Sequence, residues 1–339
     1  MKILHLDTTH PFLEEELKKL GFTNHFDFDS PKSVIEKKTF NYFGIIIRSR
    51  ITIDQKFIER CKNLKFIARI GSGVENIDVK YAQKKQIQII STPEGNSNAV
   101  GEHSLGLLLS LLNNINSSNT EISDGVWERE YNRGNELKNK TVGLIGYGHT
   151  GKSFAKKLKG FNVKTIYYDI KNVKGNKNAN PVSLKFLKEN SDVISLHTSI
   201  TKESNGIINN SFIDSCKKPF WLINTARGSC VKTNDLVDGL KNGKILGAGL
   251  DVLEYEKKSF EKLSSDISEK ANFQYLINSK DVILTPHIAG WTHESKIKLV
   301  KVALKKIKKL ISKKSYLFQK RGSSWEVVKD WKKPDNYKN

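Results

Sequence analysis

The sequence predicts an α/β protein built from two doubly wound, parallel-sheet domains. Three observations carry this. Short apolar runs recur roughly every 20 residues through the first ninety positions, with helix-like segments between them, the beat of a βαβ array. A second array of apolar runs fills 141–285. At its head, 141–151 reads TVGLIGYGHTG. Five mostly apolar residues run straight into the glycine spacing that turns a buried strand into a helix over a pyrophosphate.

In order, the first runs are KILHL near residue 2, a weak HFDF near 25, FGIII at 43, LKFIAR at 64 and IQII at 87. From Ser97 to about Asn119 the pattern predicts one long helix. Ser97 or Asn98 can cap it, and Glu102 falls in its first turns. Its LGLLLSLL stretch is apolar on most sides, so the helix is expected to be buried. The second array supplies TVGLI, VKTIYYD, DVISLH, FWLINT, ILGAGLDV and VILTPH. The segment 254–280 is longer and more polar than a βα connection should be, and SSDISEKANFQYL within it predicts a short helix. After Gly290 a second long helix runs to about Lys314, with Ile297, Val300, Leu304, Ile307 and Ile311 on its apolar face. The tail from 315 holds Trp325 and Trp331 among charges, as candidates for a strap onto the first domain.

Each glycine of the turn has a task. Gly146 makes the tight bend, Gly148 lets the backbone approach phosphates, and Gly151 lets the helix pack on the strand. Phe154, Ala155 and Leu158 then share one helical face. The next strand ends in Asp169, 18 residues beyond Gly151. An acid there hydrogen-bonds the adenosine ribose hydroxyls and repels a 2′-phosphate. This succession predicts a dinucleotide site that prefers NAD to NADP.

The 339-residue chain carries 57 Lys and Arg against 36 Asp and Glu, a formal charge of +21. The lysines are spread along its length, and no zinc-finger, RNP-like or basic-zipper pattern occurs. That predicts a lysine-rich surface rather than specific nucleic-acid binding. Such a field can steer an anionic substrate and cofactor. No apolar window of about 18 residues exists, so no membrane span is expected. The N-terminus reads as a first strand rather than a signal peptide. Cys61, Cys216 and Cys230 show neither paired nor metal-ligand spacing, which predicts reduced thiols in a cytoplasmic protein and no metal site.

Ligand chemistry in a doubly wound sheet gathers past the carboxyl ends of strands. Four stretches fall there. They are 192–198 with His197 and Thr198, 223–228 with Thr225, Ala226 and Arg227, 249–256 with Asp251 and Glu256, and 284–290 with His287, Ala289 and Gly290. A guanidinium in the glycine-containing turn at Arg227 can grip a carboxylate by two parallel hydrogen bonds. His287 is an acid–base candidate, and Glu256 can hold its imidazole in one tautomer. Beside a nicotinamide these three compose a hydride-transfer site.

With GSGVENID at 71–78, IGYGHTG at 145–151, SDVISLH at 191–197, NTARG at 224–228, LDV…E at 250–256 and TPHIAG at 285–290, the chain resembles the D-2-hydroxyacid dehydrogenase (D-isomer-specific) family. Within it, the chain is most similar to the phosphoglycerate dehydrogenase branch. The motifs keep family order and spacing to about residue 315.

The resemblance implies a Rossmann NAD domain, 98–290, inserted into a flavodoxin-like substrate-binding domain, 1–97 plus 291–339. It implies Arg227, Glu256 and His287 as the catalytic trio, and Ser72, Gly73 and Val74 holding the substrate carboxylate through backbone groups. For NAD it points to Gly146, Gly148, His149, Thr150, Gly151, Asp169, His197, Thr198, Thr225, Ala226, Arg227, Asp251, His287, Ala289 and Gly290. The implied substrate is a small anionic 2-hydroxy or 2-oxo acid. The branch suggests oxidation of 3-phospho-D-glycerate to 3-phosphohydroxypyruvate in serine biosynthesis. Arg48 and Ser49, in Arg48-Ser49-Arg50, lie where two guanidiniums can meet a phosphate. Trp127-Glu128-Arg129 also resembles that branch. The alternatives are 4-phosphoerythronate, glyoxylate or hydroxypyruvate, D-lactate, or a non-enzymatic NAD sensor. A homodimer built on the NAD domains is further implied, with the long helix after Ser97 at its interface. Two features depart from the family. Lys257 follows Glu256 where proline is usual, and Trp291 follows the histidine motif where small residues are usual.

Overall fold

The computed structural model describes residues 1–256, 271–313, 318–321 and 324–327. The chain divides into two compact units, Met1–Gly95 with Lys296–Asn339, and Asn96–Ser295.

The first unit opens with strands β1 (Lys2–His5), β2 (Thr23–Phe26), β3 (Gly44–Ile47), β4 (Phe66–Arg69) and β5 (Gln88–Ile90). Helices α1 (Pro11–Lys19), α2 (Lys32–Lys38), α3 (Gln55–Arg60) and α4 (Val79–Lys84) alternate with them. All strands pair in parallel, in the order β2-β1-β3-β4-β5, the flavodoxin-like doubly wound order. Four of the five apolar runs lie on β1, β3, β4 and β5, and the weak HFDF shares only His25 and Phe26 with β2. β3 is buried along its whole length, as a parallel strand covered on both faces must be.

Helix α5 (Pro93–Leu112) leads out of the first unit, followed by α6 (Ile115–Ser123). The single helix expected from Ser97 to about Asn119 is therefore two. It starts four residues early, with Pro93 in the first turn, where proline costs nothing, and Glu94 beside it. It breaks at Asn114, which takes left-handed backbone at φ 52°. An asparagine pair is a common helix stop. Leu107, Leu108, Leu111 and Leu112 are buried as expected.

The second unit holds β6 (Thr141–Ile145), β7 (Lys164–Tyr168), β8 (Asn180–Pro181), β9 (Val193–Leu196), β10 (Phe220–Asn224), β11 (Ile245–Leu250) and β12 (Val282–Leu284). Between them lie α7 (His149–Leu158), α8 (Leu184–Asn190), α9 (Asn210–Asp214), α10 (Thr233–Lys241) and α11 (Ala271–Asn278). The parallel order is β12-β11-β10-β9-β6-β7-β8. It winds outward both ways from a switch point between β6 and β9, the Rossmann arrangement with a further strand on one edge. Of the short helix expected within 264–276, α11 covers the later part; 257–270 lie outside the described residues.

Helix α12 (His293–Lys313) lays Val300, Ala303, Leu304 and Ile307 into the first unit's core with Ile3, Leu13 and Phe66. Gly95 lets it approach α5, since a Cβ there would stand 2.7 Å from the Leu299 backbone. Beyond it, β13 (Phe318–Arg321) pairs antiparallel with β14 (Ser324–Val327). Trp325 falls on β14; Trp331 lies outside the described residues. The three cysteines are free and buried, and burial pushes the Cys61 and Cys216 thiols up to about 11 and the Cys230 thiol up as well.

Candidate active site

The glycine turn sits at the switch point. Gly146 takes φ +94°, and a Cβ there would lie 2.7 Å from the His197 carbonyl oxygen. At Gly151 a Cβ would come within 2.3 Å of the Gly146 oxygen. Both positions are closed to any side chain. Gly148, by contrast, is the N-cap of α7, with no side-chain cap and open space around it. His149 and Thr150 begin the helix. An uncapped helix start behind a glycine bend suits a pyrophosphate, because its first N–H groups need an acceptor.

Asp169 follows β7 directly. Its carboxylate accepts the Tyr147 N–H at 2.7 Å and the Lys171 N–H at 2.8 Å. It thereby ties the glycine turn to the next strand. With Tyr168, Lys171, Pro181 and Ser183 it lines a cavity of about 360 Å³. The open helix start and the acid beside the glycine turn fit NAD.

His197, expected at the cofactor, lies against the glycine turn with its imidazole turned into the core. Its ring is 7 % exposed and lies 5.4 Å from the Phe154 ring, centroid to centroid. Nε2 pairs with Ser195 Oγ at 2.9 Å, and Nδ1 has no partner among the described residues. Burial pushes its pKa down to about 3, so the imidazole is neutral. Its carbonyl meets the glycine turn at Gly146 and its Cβ stands against Gly151. Thr198 Oγ1 lies 3.5 Å from Cys230 Sγ.

The turns past β10, β11 and β12 interlock. Asn224 accepts the Ala226 N–H at 3.1 Å and donates to the Arg227 carbonyl at 3.0 Å, which shapes the arginine turn. Arg227 Nη1 donates to the Ala226 carbonyl at 2.7 Å. Gly228 lets this turn press onto the next, since a Cβ there would be 1.9 Å from the Leu253 oxygen. From Leu253 the backbone leads to Glu256, whose Oε1 accepts the Leu253 N–H at 2.8 Å. Its Oε2 lies 2.7 Å from His287 Nδ1. The structure thus joins Glu256 to His287 directly, and packs the Arg227 turn on the backbone that carries Glu256.

His287 itself stands at φ 56°, backbone that a residue with a Cβ adopts only when held. Asp251 holds it. The Asp251 carbonyl accepts the His287 N–H at 2.8 Å. Its carboxylate accepts the Ile288 N–H at 2.8 Å, the Ala289 N–H at 2.9 Å and the Thr285 hydroxyl at 2.6 Å. Gly290 packs against Asn96, where a Cβ would meet Nδ2 at 2.5 Å. Sequence reasoning missed His103, Ser104 and Asn224. A histidine and a serine inside an otherwise apolar helix were the available signal for the first two.

In the first unit, Gly71 pairs with Thr92, donating to its Oγ1 at 2.8 Å and accepting its N–H at 2.7 Å. This fixes the loop that bears Ser72, Gly73 and Val74. Asn76 bonds the Arg48 carbonyl at 3.3 Å and the Ile51 carbonyl at 3.1 Å. The Arg48 N–H donates to Asp7 at 2.6 Å, and Ser49 is half-buried beside it. Arg50 departs from the expected phosphate contact. Its guanidinium donates to the carbonyls of Leu6, Ser30 and Asp27 at 2.7, 2.8 and 2.8 Å. It stitches three backbone segments together, because those loop carbonyls have no strand partner. Among the described residues no group of acids, cysteines and histidines could hold a metal, and no helix is long and apolar enough to cross a membrane.

A dinucleotide turn at a Rossmann switch point, with an acid–histidine pair past neighbouring strands, defines a nucleotide-dependent oxidoreductase. Residues 105–289 match the family model of the D-isomer specific 2-hydroxyacid dehydrogenase, NAD binding domain. The chain belongs to this family of NAD-dependent 2-hydroxyacid oxidoreductases. Hydroxypyruvate reductase of Thermotoga maritima is 36% identical over 74% of this chain and 79% of its own length. D-3-phosphoglycerate dehydrogenase of Archaeoglobus fulgidus is 30% identical over 88% of this chain, which spans 55% of that longer protein. A solved D-lactate dehydrogenase from Aquifex aeolicus, complexed with NAD and lactic acid, superposes with a TM-score of 0.78 at 28% identity. That alignment covers 92% of this chain and 97% of the other.

Proposed function

We propose that this protein interconverts a small, unphosphorylated 2-oxo acid, of the glyoxylate or hydroxypyruvate type, with its D-2-hydroxy acid. The observation that carries the reading is Arg50. Two guanidiniums would suit a phosphate dianion, and this one is committed to three backbone carbonyls. The reductase of Thermotoga maritima, matched over 79% of its length, supports the same reading.

NAD, when bound at the glycine turn, gives or takes the hydride. The chain's own residues do the rest. His287 Nδ1 is engaged by Glu256, so proton exchange with the C2 oxygen falls to Nε2. Glu256 fixes the ring's orientation and favours the form that carries a proton on Nδ1. Arg227 grips the substrate carboxylate and polarises the C2 carbonyl. We assign the backbone groups at Ser72, Gly73 and Val74 to substrate binding as well. We assign 1–97 and 291–339 to substrate binding and 98–290 to NAD.

The second reading is oxidation of 3-phosphoglycerate, favoured by the match to the phosphoglycerate dehydrogenase over 88% of this chain. An NADH-oxidation panel decides between them. A kcat/KM at least tenfold higher for glyoxylate or hydroxypyruvate than for 3-phosphohydroxypyruvate supports the first reading, and the reverse ranking overturns it.

We also propose a cytoplasmic homodimer. Its support is three unpaired thiols and an apolar surface on and after α6. There Ile115, Ile122 and Val126 are exposed, and Trp127 and Tyr131 are 83% and 85% exposed. Light scattering should find a dimer that Ile122→Lys with Trp127→Ser converts to monomer. A wild-type monomer would overturn this.

A further inference from the structure

Two adjacent residues of α5, His103 and Ser104, each reach a turn that carries a reacting side chain. All the groups involved lie in the second unit. Ser104 Oγ is 2.9 Å from Thr225 Oγ1, two residues before Arg227. His103 Nε2 is 3.0 Å from Thr285 Oγ1, two residues before His287, and 3.5 Å from Asp251 Oδ1.

The protons in both contacts have only one arrangement. Thr285 Oγ1 lies 2.6 Å from an Asp251 oxygen. A carboxylate that also accepts two backbone N–H groups accepts here as well, so the Thr285 hydroxyl donates to it. The threonine oxygen then receives the proton of His103 Nε2. The relay runs from imidazole to hydroxyl to carboxylate. On the other contact, Ser104 donates to the Val100 carbonyl at 2.8 Å, so Thr225 donates to Ser104.

The relay ends on the group that keeps His287 in place. Asp251 grips the turn on both sides of that histidine and is itself 1% exposed. His287 stands in left-handed backbone, where side-chain-bearing residues are not at rest. A buried hydroxyl that lost its donor keeps an unpaired oxygen, is free to turn towards another donor, and loosens its hold on the carboxylate.

We propose that His103 is a positioning residue for hydride-coupled proton transfer: its donation to Thr285 orients the hydroxyl on Asp251 and so fixes the turn that presents His287. The proposal rests on the reading of His287 as the proton-exchanging group. His103 touches no reacting atom in this scheme. It acts through Thr285 and Asp251.

The test is a set of variants of the full chain, assayed with glyoxylate or hydroxypyruvate at saturating NADH. His103→Leu removes the donor and should lower kcat about tenfold, while the Kd for NADH, read by fluorescence quenching, moves less than threefold. His103→Gln restores an N–H donor and should bring kcat back to within threefold of wild type. In the His287→Ala background, His103→Leu should lower the residual rate no further, because the two act through one another. A general packing role would lower it in both backgrounds. Should His103→Leu not fold, Thr285→Val interrupts the same relay at its middle and is read in the same way. Wild-type turnover in the donor-free variant, or equal loss in both backgrounds, overturns the proposal. Near-normal turnover of His287→Ala alone would overturn the underlying reading of His287.

Discussion

Replacing Glu256 by glutamine tests the proton machinery most directly. Both carboxylate oxygens are engaged by donors, Oε1 by the Leu253 N–H at 2.8 Å and Oε2 by His287 Nδ1 at 2.7 Å. The carboxylate accepts at both atoms. An amide accepts at one and donates at the other, so the Glu256→Gln side chain keeps one bond and sets an N–H against the second donor. If it keeps Leu253, the ring must give up its Nδ1 proton. If it keeps the ring, the Leu253 N–H is stranded. One hydrogen bond to a charged group is worth about 1.5–3 kcal/mol. The carboxyl side chain is 13% exposed and the imidazole 28%, so solvent screening removes part of this. The bond that survives becomes neutral and roughly half as strong. About 2 kcal/mol of transition-state stabilisation is lost, which predicts a drop in kcat of roughly 30-fold. The assay is NADH oxidation at saturating 2-oxo acid, repeated with 4-deuterated NADH so that the rate read is that of the hydride step. Affinity for NADH should move less than threefold. A kcat within threefold of wild type, with the isotope effect expressed in both proteins, would refute the reasoning.

Three further outcomes follow from contacts already described. Asp169→Ala should shrink the preference for NADH over NADPH by about tenfold or more in kcat/KM, because a carboxylate that would repel a 2′-phosphate is gone; an unchanged ratio would remove the acid from cofactor choice. His197 is neutral in the fold and takes up a proton on unfolding below pH 6.5, since burial pushes its pKa down to about 3. Its contribution is therefore complete above pH 6.5 and is lost as the pH falls, by about 1.4 kcal/mol per unit. Urea unfolding between pH 6.5 and 4.5 should show wild type losing about 2–3 kcal/mol more than His197→Phe, and parallel curves would contradict this. Arg50→Ala should destabilise the first unit by about 2–4 kcal/mol by stranding three carbonyls, read as a lower urea midpoint, while KM for the 2-oxo acid changes less than threefold. A large rise in KM with unchanged stability would instead put Arg50 on the substrate.

Much of the fold was legible because parallel strands buried on both faces read as apolar runs. Four of the five strands of the first sheet and six of the seven in the second announce themselves this way, while β2 is a half-exposed edge strand that reads only weakly. β8 did not, since Asn180–Pro181 is a two-residue edge whose proline has no N–H to give. The break between α5 and α6 was visible in Asn113-Asn114, but the leucine run outweighed it. The glycine turn was legible to the residue: Gly146 and Gly151 meet steric demands that no other residue satisfies, and Gly148 leaves the start of α7 open. The pairing of Glu256 with His287 followed from residue type and order. What the pattern did not convey was occupancy. Arg50 and His197 carry the right chemistry in the right stretches, yet their partners are backbone carbonyls of Leu6, Asp27 and Ser30 for one, and Ser195 with the Phe154 ring for the other. Those partners are separated in sequence from the motifs, so no spacing rule reports them.

The three cysteines have a practical consequence for anyone who wishes to watch this enzyme work. Each is buried, and burial raises each thiol's pKa, which holds it as the unreactive thiol at neutral pH. A maleimide dye offered to the native chain should therefore find nothing to modify. A single cysteine introduced on an exposed helix face would be labelled selectively, without first stripping the natural ones. The protein comes prepared for fluorescence distance measurements during turnover.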